Sequence, residues 1–208
     1  TGANVWDLKE RIAQLVKTGE NRSLIRDLIS DGDLVVLVTP IDSAAPKGRM
    51  ILPQQQMIRD ILDADAMSVV VKEFQFESAL KKLSSPPVMV VTDSQIFPEV
   101  TAQVPPGVEI TSFSILLAAA KGDPDLYRKG LNKADELREG DRILIAESCT
   151  HQVSCEDIGR SKIPRWLEAH AGVSLRFDFV SGLSPLPRDL SSYALMVQCG
   201  GCMATRSQ

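Results

Sequence analysis

Cys199-Gly200-Gly201-Cys202 sets two thiols at the ends of a glycine pair, a turn tight enough to aim both sulfurs at one point. A lone C-x-x-C is a moderate signal. It is reinforced by Cys149-Thr150-His151, with Cys155 four residues beyond the histidine. Thiolates with one imidazole make a closed tetrahedral zinc site. Three thiolates with a weak or exchangeable fourth ligand suit an iron-sulfur cluster with one open corner. Residue types and spacing leave both chemistries open. A third use, a thiol oxidoreductase built on Cys199 and Cys202, is disfavoured because the pair follows a strand pattern without a clear helix start to activate a thiolate. Cys155 is the doubtful member of the set, since a buried cysteine often serves only to pack. His170, near the end of an expected helix, reads as structural, facing the negative end of the helix dipole.

The elements around these residues explain how distant thiols can meet. Cys149 follows the apolar run Asp141 to Ser148, and Cys199 follows Ser192 to Gln198. As strands of one parallel sheet, the two runs end at the same carboxyl edge, where open α/β sheets place their ligands. The rest of the chain supports that reading. Asp33 to Pro40 is a continuous apolar run bounded by turn residues, as expected of a strand buried on both faces. Helical spacing over Ile51 to Leu62, the run Met67 to Val71, a helix over Phe74 to Leu83 and the run Pro86 to Asp93 then alternate. Alternation of this kind implies crossover connections and a parallel sheet.

Pro98, Pro105, Pro106 and Gly107 mark the stretch from Phe97 as the best candidate for a junction. Beyond it, Val108 to Thr111 reads as a short strand opening the second half, Ser112 as a helix cap, and Pro124 to Leu137 as a second helix. Ile163 to Gly172 reads as a helix and Val173 to Val180 as a strand. The fold class is therefore α/β, with two small domains, each a mostly parallel β-sheet with flanking helices. If helices cover mainly one side of the first sheet, its other face or its edge needs a partner, so a homodimer or higher assembly is expected.

Composition narrows the functional classes. The chain has 208 residues and a net charge of -4, which gives no electrostatic footprint for nucleic acid or an anionic membrane surface. No apolar run approaches the roughly 20 residues that span a bilayer, and the start lacks the pattern of a signal peptide. A soluble, cytoplasmic protein is expected. All four cysteines fall in the last third, unlike a disulfide framework spread through a short secreted chain. The sequence has no initiator Met and runs straight into the helical spacing of Val5, Leu8, Ile12, Leu15 and Val16, so it reads as a piece of something longer. There is no G-x-x-x-x-G-K-[ST] segment, so no phosphate cradle for GTP is present. Lys47-Gly48-Arg49 offers two cations in a loop, read as structural or at a subunit contact rather than as a nucleotide site.

Three segments carry a resemblance. "ESCTHQVSCEDIGRSKIPRWL" (Glu147 to Leu167), "QCGGCM" (Gln198 to Met203) and "PIDSAAPKGRMILPQQQMIRDILD" (Pro40 to Asp63) closely resemble HydF, the maturation GTPase family of FeFe-hydrogenase. The resemblance implies that residues 1–22 are a linker helix from a missing GTP-binding domain, 23–103 a dimerisation domain and 104–208 an iron-sulfur cluster-binding domain. It also implies that Cys149, Cys199 and Cys202 ligate a 4Fe-4S cluster whose fourth site is open or weakly held. In the family pattern a histidine often precedes the C-x-x-C pair, whereas Gln198 stands here; the fourth position then falls to His151, to water, or to Asp42 reaching from a partner subunit. HydF proteins hold and deliver a diiron subcluster precursor beside HydE, HydG and the apo FeFe-hydrogenase. The expectation is a non-enzymatic scaffold and carrier, with GTP handled only by the missing domain. The competing expectation is a zinc-bound structural module closed by Cys149, His151, Cys199 and Cys202.

Overall fold

The structure is a computed structural model that describes residues 4–15, 23–40, 50–148, 158–181 and 184–199, the side chains of 12–15 excepted. The first helix, α1, covers Val5–Leu15, as its apolar spacing predicts. Four parallel strands follow in the first sheet: β1 (Leu34–Val38), β2 (Met67–Val71), β3 (Met89–Thr92) and β4 (Glu109–Ser112), in spatial order β2-β1-β3-β4. Their crossovers carry α2 (Leu52–Leu62), α3 (Phe76–Lys82) and α4 (Phe97–Thr101), and α5 (Phe113–Lys121) follows β4.

Side chains alternate across a strand, and β1 is apolar at every position, so it must be covered twice. Val35 and Leu37 join Met89 and Val91 beneath Met57 and Ile61 of α2 and Phe113, Leu116 and Leu117 of α5. On the other face, Val36, Val38 and Val90 pack with Phe76 of α3 and Val100 of α4. Both faces are thus filled, which corrects the premise of a one-sided sheet: what stays unmet is an edge. Among the described residues β2 pairs only with β1, and along it Met67 and Val70 are 54% and 39% exposed.

The structure also moves the expected boundary at 103/104. β4 hydrogen-bonds to β3 in parallel register, Met89 opposite Glu109 through Thr92 opposite Ser112, so this strand closes the first sheet instead of opening the second. The prolines of the expected junction do not break the unit. Pro98 lies in the first turn of α4, where a missing N–H costs nothing.

Asp60 on α2 ties down the entry to this unit. Its Oδ2 accepts from the backbone N–H of Leu24 (2.7 Å) and Ile25 (2.8 Å) and from the Ser23 hydroxyl, while Oδ1 pairs with Arg26 at 2.9 Å. Ile25, fully buried in the core, is held by this cap. Asp60→Ala would leave two backbone donors without their acceptor and is expected to cost about 1–3 kcal/mol, the range for an unsatisfied buried group. Urea denaturation checks this, with Asp60→Asn expected to recover part of the loss.

Residues 122–123 join the two units. A Cβ at Gly122 would overlap the end of the Tyr127 side chain, which packs over the glycine and would have to shift for any larger residue. Asp123 then caps α6 (Pro124–Ala134), accepting from the N–H of Asp125 and Leu126. The second sheet has three parallel strands, β5 (Arg142–Glu147), β6 (Arg176–Ser181) and β7 (Leu195–Cys199), in order β6-β5-β7. Between β5 and β6 lies α7 (Ile163–Ala171), ended by Gly172 at φ +68°, a left-handed position suited to glycine. Ile143, Ile145, Leu137 and Leu175 form the core here, with Ile163 and Leu167 of α7 against them. The α/β fold class with two parallel sheets is as expected from the sequence.

Candidate metal centre

β5 is the middle strand, so its end is flanked on both sides. Glu147 lies in register with Ser181 of β6 and with Cys199 of β7, forming one row at the carboxyl edge. One residue further, the Ser148 N–H donates to the Cys199 carbonyl at 2.8 Å. The backbone therefore places Ser148 directly beside Cys199, the residue that opens the C-x-x-C pair.

The row is organised by charge. Glu147 is only 8% exposed, and its Oε2 accepts from Arg160 Nε (2.9 Å) and from the Ser181 hydroxyl (3.1 Å). Arg160 Nη2 donates to Ser181 Oγ at 2.6 Å, and its guanidinium lies 5.7 Å from the centre of the Phe179 ring. Arg160 sits in a π-helical turn, Ile158–Lys162, that leads into α7. Lys162 of that turn donates to Gln95 Oε1 at 3.2 Å, a bond to the first unit.

The opposite, amino edge of the sheet is tied differently. Arg142 donates to Asp178 Oδ2 (2.6 Å), to the Tyr193 hydroxyl (3.2 Å) and to the Ser192 hydroxyl (3.3 Å). The hydrogen bond from Arg142, with a further one involving Tyr193, holds the Asp178 carboxyl below the ordinary aspartate range. A depressed carboxyl stabilises the fold at neutral pH and loses that effect as pH falls through its folded value. The pair is open to solvent, so its contribution is small.

Of the residues singled out in the sequence, Cys199 is half-buried as the last residue of β7. Cys149, His151, Cys155, Cys202 and Asp42 lie outside the described residues. Among the described residues no group of three or more His, Cys, Asp or Glu side chains assembles for a metal. His170 Nε2 lies 2.7 Å from Asp135 Oδ1, a pairing of α7 with the end of α6. Sequence reasoning missed Glu147, Arg160 and Ser181. The available signal was a carboxylate ending an otherwise apolar strand, which demands a cation nearby.

Tandem parallel α/β units with a cysteine at a strand's carboxyl end define the class to which the comparisons assign the chain, that of self-associating modules of a maturation factor. Residues 24–122 match the hydrogen maturase F dimerization domain, and residues 125–208 match the hydrogen maturase F tetramerization domain. The two matches run over most of the sequence, and the chain belongs to the hydrogen maturase F family, HydF. They also place the division between modules at 122–125, where Gly122 and the α6 cap stand. No curated protein matches the chain. Among solved structures, fatty acyl-adenylate ligases from E. coli and L. pneumophila are similar at 14% identity with a TM-score of 0.36, over 76% of this chain and 33% of that one. No described helix is long and apolar enough to cross a membrane.

Proposed function

We propose that this chain is the non-catalytic scaffold part of a cytoplasmic hydrogenase maturation protein, holding a 4Fe-4S cluster through Cys149, Cys199 and Cys202. The single observation that supports this best is the β5–β7 register, in which Ser148, the residue that precedes Cys149 in the sequence, bonds to Cys199. Three thiolates fit such a cluster as a donor set. When bound, the cluster supplies an iron whose remaining position can exchange ligands. His151, water or Asp42 of the partner subunit would fill that position between deliveries. The cargo is a diiron subcluster precursor, passed to apo FeFe-hydrogenase with HydE and HydG as partners, under control of a GTP-binding domain outside this chain. The chain's own task is to hold and release, because a site saturated with strong ligands could not give up its cargo.

Self-association belongs to the same reading. The apolar β2 edge suits pairing between copies, and Leu131 and Trp166, 70% and 55% exposed beside the groove between α6 and α7, offer a second apolar surface on the tetramerization module. Anaerobic purification followed by iron, sulfide and zinc analysis tests the metal assignment. Brown protein with about four irons and four sulfides per chain is the expected result. Colourless protein with one zinc per chain would replace this reading with a closed Cys149, His151, Cys199 and Cys202 site.

A further inference from the structure

A Cβ at Gly130 would meet Leu195 Cδ1 of β7 at 3.9 Å, and Ala134 is buried, so this side of α6 lies on the second sheet. Beside it, Arg128, Leu131 and Asp135 follow three- and four-residue spacing and share one stripe of the helix. Asp135 is the C-cap and keeps right-handed helical geometry, so the stripe runs on through it. Leu131 stands exposed at its centre, with a cation one turn before it and a carboxylate one turn after. Among the described residues Arg128 pairs only with Asp125, at 3.4 Å, and both side chains are mostly in solvent. His170 holds the Asp135 carboxylate beside the α6–α7 groove, which Trp166 also lines. A stripe that reads cation, leucine, carboxylate is its own complement when two of them meet antiparallel. A two-fold axis at Leu131 would bury the two leucines against each other and set Arg128 of each copy beside Asp135 of the other. The two spacings differ by one residue, about 1.5 Å along the axis, which an arginine side chain spans easily.

We propose that this stripe is the contact through which the 125–208 module self-associates, two α6 helices from separate copies lying antiparallel about a two-fold axis at Leu131, with Trp166 flanking the seam. Such a contact is isologous, the same patch on both copies, so each favourable pair occurs twice. A surface for an unrelated acidic or basic partner would carry one sign of charge at both ends, whereas here the signs oppose across Leu131. The β2 edge belongs to the other module and is a separate contact. The match to a tetramerization domain says that this module associates; the stripe supplies the face and the relative orientation. The inference deepens the self-association proposed above and rests on it, independently of any metal.

The test is sedimentation velocity of the full chain over a dilution series, with melting curves to check folding. The unsubstituted chain is expected to form tetramers that dissociate to dimers on dilution. Leu131→Asp should leave dimers only, and because Leu131 is exposed its melting temperature should barely move. Arg128→Asp and Asp135→Arg each set like charges together twice, and each should weaken the tetramer roughly 10-fold or more. The double variant Arg128→Asp with Asp135→Arg should recover the association, since the exchanged charges meet again. Mixing the two single variants should recover it too, because each chain then faces the opposite charge at both positions. Recovery on mixing can come only from contact between copies. Tetramers that persist in Leu131→Asp, or charge reversals that neither the double variant nor the mixture rescues, would overturn this contact while self-association of the module stands. An unsubstituted chain that never exceeds a dimer would overturn both.

Discussion

Cys199→Ala is expected to abolish cluster retention while leaving the fold in place. After anaerobic reconstitution the variant should carry almost no sulfide, and the electron paramagnetic resonance signal of the reduced cluster should be absent. The loss should exceed the roughly 10- to 100-fold penalty typical of an outer-shell group, because the proposed assignment makes Cys199 a direct ligand. The fold survives for a local reason. Cys199 is half-buried at the last position of β7, and the bond it accepts from Ser148 uses its backbone carbonyl, which alanine keeps. Matching circular dichroism and melting curves would confirm that metal loss is not unfolding. Cys149→Ala and Cys202→Ala should behave alike, and Cys155→Ala should retain its cluster. A Cys199→Ala chain that still binds iron and sulfide at the level of the unsubstituted protein would refute the ligand assignment.

Phe76→Ala is expected to produce the largest loss of stability. Phe76 is fully buried at the start of α3, packed with Val36 and Val38 of β1, Val90 of β3 and Val100 of α4. Removing a buried phenyl ring costs about 3–5 kcal/mol from lost transfer energy and the cavity left behind. Against a total of about 5–15 kcal/mol for a domain, that is a large share. Urea unfolding should show a much lower midpoint with little change in slope. The core of the second unit is a separate cluster built on Ile143 and Ile145. Cluster loading at Cys199 is therefore expected to outlast the first transition.

How much of this was legible in the sequence varies with the kind of interaction. β1, β3 and β5 announce themselves because strands covered on both faces must be continuously apolar, and Leu34–Val38, Met89–Thr92 and Arg142–Glu147 are close to that. The cap on α5 was equally plain, Ser112 accepting from the Ile115 N–H as its position suggests. β4 was recognised as a strand but given to the wrong sheet. Four residues alternating around Ile110 carry no information on which neighbour they pair with, and the prolines before them suggested a break that α4 bridges. At the site, the placement of Cys199 at a strand's carboxyl end followed from the alternation of elements. The Glu147–Arg160–Ser181 triangle did not, since its members share no period and meet only when three segments fold together.

The arrangement β6-β5-β7 gives the two cysteine-bearing strands unequal roles. Among the described residues β5 is hydrogen-bonded along both sides, whereas β7 lies at a border and is held on one. Local opening begins where fewest bonds resist it, so the sheet would fray from β7 while β5 stays seated. Cys199 thus stands on the strand that opens first, while Glu147 stands on the strand that opens last, so the carboxyl edge can part on one side without losing its anchor.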